Sequence, residues 1–182
     1  HENIVKCYEY GFTTNDEPYL LMEYLDGPGL NSMITSLNEK LDGNRVPLLL
    51  QMARALDAVH KAEFIHRDIC PRNFICSQDA KTVKLIDFGL SLPATKFFMQ
   101  PGNRTGTPNY MAPEIVRRRK TTKRVDIFAF GATAYEICTF QLPWPSSDNS
   151  GMAALMHDTH EPEEILNFKP DLNKALAKVI MR

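Results

Sequence analysis

The residues best suited to chemistry fall in three short clusters: His66-Arg67-Asp68 followed by Asn73, then Asp87-Phe88-Gly89, then Ala112-Pro113-Glu114. Asp68, Asn73 and Asp87 carry side-chain oxygens, the donor type that suits a hard divalent cation, and a carboxylate beside a hydroxyl can also take its proton. Arg67 adds a planar cation fit for phosphate oxygens. No cluster is informative alone, because Asp and Asn also cap loops and form turns.

These clusters need elements to hold them. Val46 to Glu63 reads as the clearest helix, with Leu49, Met52, Ala53, Leu56, Val59 and His60 recurring on one side at three- and four-residue intervals. Asp68 and Pro71 then favour a loop. FIC, followed by TVKLI, reads as two small strands about a turn at Gln78 to Lys81. Residues 87 to 114 form a long segment rich in Gly, Pro and Thr, and loops of that length inside a domain are usually functional or mobile. An apolar helix is expected at Val125 to Phe140, with Asp126 near its start, where the helix dipole favours negative charge. Upstream, Ile4 to Tyr10 and Tyr19 to Tyr24 read as strands joined by the turn GFTTNDEP. Asp26 to Gly29 breaks the second strand before a short helix at Leu30 to Leu37. LPWPSSDNS, Leu142 to Ser150, is a breaker-rich connection, and further helices are expected at Met152 to Thr159 and Asp171 to Arg182.

The composition excludes several classes. With 182 residues, 43% hydrophobic and 24% charged, and only 9 Gly and 12 Pro, wholesale disorder and fibrous repeats are ruled out and one domain is the default. Lys plus Arg number 21 against 22 Asp plus Glu, so no global charge recruits nucleic acid or an acidic membrane. Cys7, Cys70, Cys76 and Cys138 show no paired zinc-type spacing, which points to the cytoplasm or another reducing intracellular compartment. No apolar run approaches a membrane span, the richest being Ile127 to Tyr135, and no secretory leader is visible, although His1 is not an initiator methionine. RRRKTTKR at Arg117 to Arg124 makes nucleic-acid contact conceivable, but without interleaved aromatics a solvated edge is the plainer explanation, with acidic-peptide recognition between the two.

In order and spacing, HRDxxxxN, DFG and APE, followed by an Asp-bearing apolar helix, resemble the C-terminal lobe of a eukaryotic-type protein kinase across essentially the whole chain. The resemblance implies an α+β, protein-kinase-like fold: a predominantly helical C-lobe with only the last strands of the N-lobe. Residues 1–25 would be the end of the N-lobe and the hinge, and 26–182 the C-lobe, truncated before its end. It implies a serine/threonine-protein kinase fragment that uses ATP and Mg²⁺, with Mn²⁺ as an alternative metal, on a protein substrate. Asp68 looks like the catalytic aspartate that orients the acceptor hydroxyl, with a loop cap or salt bridge as its structural alternative. Asn73 and Asp87 look like the metal ligands, or else turn formers. Arg67 would receive a phosphate on the 87–114 segment, with Thr105 the first candidate acceptor and Thr95 the second, modified by another kinase or by itself. His66 is read as structural and Phe88 as a packing switch. GTPNYMAPE, Gly106 to Glu114, resembles the substrate-docking end of a Ser/Thr kinase activation segment. Thr107 would line the accepting site or make a simple turn contact. Glu114 would pair with a late arginine, for which the sequence has no secure match. YLLMEYLDG resembles the fifth strand and hinge, with Met22 as gatekeeper, the backbones of Glu23 and Leu25 on the adenine edge and Ile75 beneath the ring. Outside that pattern, each of these reads as ordinary core.

Two departures stand out. Cys70 occupies the HRDxK position where Ser/Thr kinases carry lysine, so a cation for the γ-phosphate is missing. Arg72 is a candidate substitute, but its sequence position does not direct it to the same place, and a side chain that simply covers the loop is its alternative reading. Cys70 itself is read as a small buried residue, with a redox-sensitive thiol or weakened transfer as alternatives. Nothing before His1 supplies a Gly-rich phosphate loop, a strand lysine or a helix glutamate, and HENIVK resembles the junction just after that helix. The isolated chain is therefore expected to be inactive and, with N-lobe strands lacking pairing partners, prone to aggregate. The competing class is an inactive pseudokinase that binds a protein through the activation segment or the C-lobe helices. A kinase-fold enzyme acting on a small alcohol is disfavoured by the complete activation segment.

Overall fold

The helix that carries the chain into the first cluster is α2, Arg45–Lys61, and its buried residues Leu48, Leu49, Met52, Ala55, Leu56 and Val59 form one apolar stripe. His60 and Lys61 place basic side chains in its last turn, where the dipole favours them. Glu63, at φ 59°, turns the chain left-handed and ends the helix two residues before the expected boundary. The computed structural model describes residues 1–102, 104–144 and 151–182.

Strands β1 (Cys7–Phe12) and β2 (Pro18–Met22) pair antiparallel, with Tyr10 opposite Leu20 and Gly11 opposite Tyr19. Their turn is closed by Thr13 N–H on the Glu17 carbonyl at 2.8 Å. The first strand starts later than expected because Val5 N–H bonds the Leu85 carbonyl instead, at 2.9 Å. Tyr10, Phe12 and Leu20 on this hairpin are all exposed. Helix α1 (Leu30–Thr35) follows, stopping short of Leu37, which takes φ 51°.

Four short strands surround the clusters. Strand β3 (Phe64–Ile65) pairs with β6 (Leu92–Pro93), while β4 (Phe74–Cys76) pairs with β5 (Val83–Leu85) in the hairpin expected from FIC and TVKLI. Gly27 runs so close to β4 that a Cβ there would lie 1.8 Å from the Cys76 carbonyl oxygen, so the break at Asp26 to Gly29 requires glycine at that point.

Helices α3 (Pro113–Val116) and α4 (Arg124–Thr139) complete the frame of the site. Helix α4 is buried on most sides and ends at Phe140, again left-handed at φ 59°. Helices α5 (Gly151–Thr159), α6 (Ile165–Phe168) and α7 (Lys174–Ile180) follow, and Asn173 caps α7 by accepting from Ala175 N–H and Leu176 N–H, which sets its start later than Asp171. Of the breaker-rich connection, residues 142–144 lie outside any helix or strand, and 145–150 lie outside the described residues.

The buried side chains form two clusters. The larger joins α1, α2, β4, β5 and most of α4 through Leu30, Met52, Phe74, Leu85, Tyr135 and Ile137. The smaller joins Ile65, Met111, Ala112, Ile115, Val125 and Ala154.

Candidate functional site

The loop after β3 is shaped by one carboxylate. Asp126, at the start of α4 and with no exposed surface, accepts from His66 N–H at 2.8 Å and from Arg67 N–H at 2.7 Å. His60 Nε2 of α2 lies 2.8 Å from the same group. Arg67 sits at φ 71°, a conformation that costs a non-glycine residue about 1–2 kcal/mol and persists where the surroundings impose it. The Asp126 clamp provides that imposition. The sequence signal for it was a lone carboxylate at the head of an apolar run, which helix-dipole reasoning alone explains too cheaply.

His66 is buried, its Nδ1 accepting from Asp68 N–H at 3.3 Å and its ring edge-to-face with Phe88 at 5.0 Å. Burial lowers its pKa, opposed by the carboxylates of Asp126 and Asp68. Its place beneath the loop agrees with a packing role.

Asp68 and Asn73 come together directly. The Asn73 amide nitrogen donates to the Asp68 carbonyl at 2.7 Å and to its Oδ2 at 3.0 Å. Asn73 ends a single 3-10 turn, Pro71 to Asn73, with proline at its first position, where a missing N–H costs nothing. Its carbonyl accepts from Ile86 N–H at 3.0 Å, which places Asp87 one residue beyond that tie. Asp87 itself is exposed, and its Oδ1 accepts from Gly89 N–H at 2.8 Å. Its carboxylate is joined to the other two through backbone rather than by a direct side-chain bond.

The 87–114 segment returns to Asp68. Thr107 bonds Asp68 Oδ1 through its N–H at 2.8 Å and its hydroxyl at 2.7 Å. Gly106, at φ 121°, allows the approach, since a Cβ there would lie 2.8 Å from the Arg67 carbonyl oxygen. Arg67 and Thr105 line one cavity with Asp68, Tyr110 and Ala129. Tyr110 donates to Glu136 of α4, and burial raises the pKa of both groups. Met111 is tied from α5, where buried His157 donates through Nδ1 to its carbonyl at 2.8 Å. The His157 ring lies 4.5 Å from Trp144 and 5.5 Å from Phe128. Neither the Tyr110–Glu136 pair nor the His157 tie had a signal in the sequence.

Cys70, which departs from the expected pattern, and Arg72, its candidate substitute, separate clearly. Cys70 is 1% exposed, and burial pushes its thiol pKa up, with Asp68 adding to the shift. Arg72 turns toward the returning segment: its Nη2 donates to Thr107 Oγ1 at 3.0 Å and lies 3.7 Å from Asp68 Oδ2.

On the opposite side, Glu23 follows β2. Its N–H donates to the Lys6 carbonyl at 2.9 Å, and its carboxylate accepts from Lys6 N–H at 2.7 Å and from Lys84 Nζ at 2.6 and 2.8 Å. The Lys84 hydrogen bond leads the causes that hold Glu23 below the ordinary carboxylate range. Met22 is exposed, Leu25 and Ile75 are partly buried, and Ile75 lies opposite Lys84 across the β4–β5 pair. The Lys84–Glu23 ion pair therefore connects the Glu23 strand end to the Ile75 hairpin.

Among the described residues no three His, Cys, Asp or Glu side chains converge as a metal cluster. The donor chemistry nevertheless suits Mg²⁺, which takes one or two protein oxygens and completes its shell with water and phosphate. Because the Asn73 nitrogen is committed to Asp68, its Oδ1 is the atom that could face a cation, and the Asp87 carboxylate could serve as a second oxygen donor.

Comparison with known sequences finds a match to the family described as protein kinase domain over residues 1–180. The chain is 35% identical over 189 aligned positions to serine/threonine-protein kinase Pkn1 of Myxococcus xanthus, covering 100% of this chain and 26% of that protein. It is 29% identical to the probable serine/threonine-protein kinase PknB of Lactococcus lactis, with 100% and 29% covered. With ribosomal protein S6 kinase alpha-2 of Mus musculus it shares 33% identity, with 86% and 21% covered. The chain thus spans between a fifth and three tenths of the length of these relatives.

Proposed function

The chain belongs to the protein kinase domain family, and from that premise we propose that, within a complete protein, it transfers the γ-phosphoryl group of ATP to a serine or threonine hydroxyl of a protein substrate. The observation that carries this reading is the Asp68 carboxylate, held at once by the Asn73 amide and by the Thr107 N–H and hydroxyl. A carboxylate fixed on both sides can orient an acceptor hydroxyl and take its proton, which is the positioning that phosphoryl transfer demands.

Asn73 Oδ1 and the Asp87 carboxylate would hold Mg²⁺ or Mn²⁺, and the bound cation would offset charge on the phosphate oxygens. The backbones of Glu23 and Leu25 would meet the adenine edge, with Met22 beside it and Ile75 beneath the ring. Residues 1–25 form the end of the smaller lobe and its hinge in this reading, and residues 26–182 the larger lobe. Groups outside this chain would finish the phosphate clamp. Arg67 and Thr105 line one cavity, which supports Thr105 as a phosphate-bearing regulatory position, modified in cis or by another kinase. The partner at Thr107 is a protein, as the names of the serine/threonine-protein kinase relatives suggest. All four cysteines are free thiols, which favours a reducing, cytoplasmic setting. Among the described residues no helix is long and apolar enough to cross a membrane.

The test is phosphate transfer by the complete protein with Mg-ATP and a generic protein substrate, compared with Asp68→Ala. Transfer that disappears in the variant supports the reading. Transfer that survives Asp68→Ala refutes the role of Asp68, and a complete wild-type protein that binds a partner but transfers nothing is a pseudokinase.

A further inference from the structure

We propose that the turn after α3 is a docking surface for an acidic segment of the protein substrate. This rests on the phosphoryl-transfer reading and names a substrate class for it. The basic run Arg117 to Arg124 divides by what its charges meet. Arg117 pairs with Asp158 of α5, and Lys123 Nζ lies 2.7 Å from the Glu63 carboxylate. Between them Arg118, Arg119 and Lys120 are exposed, and among the described residues none of these three side chains has an acidic partner. The backbone that presents them is fixed. Arg117 N–H bonds the Pro113 carbonyl at 2.9 Å, Arg118 N–H that of Ile115 at 3.0 Å and Arg119 N–H that of Glu114 at 2.7 Å, and Arg118 takes φ 51° to close the turn. Three like charges held side by side, on a chain whose net charge is -1, make a local field for a negative partner.

The sequence interleaves no aromatic with this run, but the fold supplies two. Thr121 N–H donates to the Met99 carbonyl at 3.0 Å, so Lys120 and Phe98 each stand one residue from a shared hydrogen bond. Phe97 and Phe98 are 79% and 46% exposed, and their rings meet edge-to-face with centroids 5.1 Å apart. Lys96 beside them is exposed as well. Such a pair gives apolar side chains an edge to pack on, whereas a nucleic-acid strand asks for rings open to parallel stacking by successive bases. The surface is also tied to the site. Arg104 Nε donates to the Val116 carbonyl at 2.8 Å, joining the end of α3 to a point three residues before Thr107, whose hydroxyl bonds Asp68. Three residues span at most about 11 Å, a distance an extended substrate covers in about three or four residues of its own. Carboxylates roughly three to six positions from the acceptor hydroxyl therefore reach the turn, with an apolar neighbour against Phe97 and Phe98.

The experiment gives the complete protein Mg-ATP and serine peptides that carry glutamates, neutral residues or lysines at those positions, on one side of the acceptor or the other. Wild type should favour a glutamate peptide over the neutral one by about tenfold in kcat/KM, through KM, and the gain should shrink as salt rises. The triple variant Arg118→Ala, Arg119→Ala, Lys120→Ala should lose that preference and handle the neutral peptide as wild type does. Glutamate at the same three positions should turn the preference toward the lysine peptide. A second readout needs no turnover: a labelled glutamate peptide with alanine in place of the acceptor serine should bind wild type about tenfold more tightly than the triple-alanine variant. Equal kcat/KM for glutamate and neutral peptides overturns the inference and leaves the phosphoryl-transfer reading standing. A glutamate preference that survives the triple-alanine change also overturns it, as does a turn that binds single-stranded oligonucleotide or phosphatidylserine vesicles but no glutamate peptide. A complete protein that binds the glutamate peptide through this turn and transfers nothing refutes the phosphoryl-transfer reading alone.

Discussion

Replacing Asp126 should loosen the loop at residues 66–68 before it unfolds the protein. Asp126→Ala removes the acceptor of two backbone N–H groups and of His60 Nε2 in a site with no solvent exposure. Each orphaned donor costs about 1–3 kcal/mol, partly offset because a carboxylate no longer has to be buried. Taking one partner from a buried charged cluster costs about 3–5 kcal/mol in total. Asp126→Asn keeps one acceptor oxygen but turns an N–H donor toward another donor, so about 2 kcal/mol is expected. The loss should appear first at Arg67, whose left-handed backbone has lost its hold. Hydrogen exchange of the complete protein, followed on peptides that cover residues 64–70, reads that opening locally. At 1.4 kcal/mol per tenfold, exchange should accelerate about 10²- to 4 × 10³-fold in Asp126→Ala and about 30-fold in Asp126→Asn. Unchanged exchange in both variants, with full phosphate transfer, would show that the clamp does not hold the loop.

Gly106→Ala places a Cβ 2.8 Å from the Arg67 carbonyl at φ 121° and should destabilise the Thr107 contact by about 1–3 kcal/mol, whereas Gly102→Ala, whose Cβ would meet the Gln100 carbonyl oxygen at 3.9 Å, should leave it intact. Exchange in peptides spanning 104–110 distinguishes the two, and equal behaviour would refute the argument. Burial lowers the pKa of His66 and His157 below the 6.5 of the unfolded chain, so the unfolded state takes up protons that the fold refuses. Their contribution is therefore intact above about pH 6.5 and is lost as pH falls through the folded values. Urea midpoints of wild type and His157→Gln should converge on acidification, and a difference that grows would reverse the sign. Burial pushes Cys76 to about 12 and Cys138 to about 11, and raises Cys70 too, so maleimide mapping at neutral pH should label these three only after denaturant is added. Native labelling of Cys70 as fast as exposed Cys7 would contradict its burial.

The periodic parts of the fold were legible. The stripe of α2 and the apolar length of α4 follow from residue spacing, and the FIC and TVKLI strands appear where their flanking turn residues put them. Boundaries slipped where ordinary residues take the conformation usually left to glycine: Leu37 and Glu63 end their helices with no glycine to announce it. At the site, the neighbours Asp68 and Asn73 were readable because five residues of sequence bring them together. The Asp126 clamp, the Tyr110–Glu136 bond and the His157 tie join residues 59, 26 and 46 positions apart, and no local pattern encodes them. The direction of Arg72 was not readable because sequence position gives the start of a long side chain and not its end; in the fold its guanidinium donates to the Thr107 hydroxyl.

The division of buried side chains into two clusters gives the protein two tiers of melting. The smaller takes its members from β3, the returning segment, α3, the first turn of α4 and α5, while α1, α2, β4, β5 and the rest of α4 seal one another without it. Sub-global opening therefore has a ready seam: the smaller cluster can come away as a unit while the larger one stays packed. Exposed Phe97 and Phe98 directly precede Met99, which packs against the smaller cluster, so a protease acting at low denaturant should cut there first.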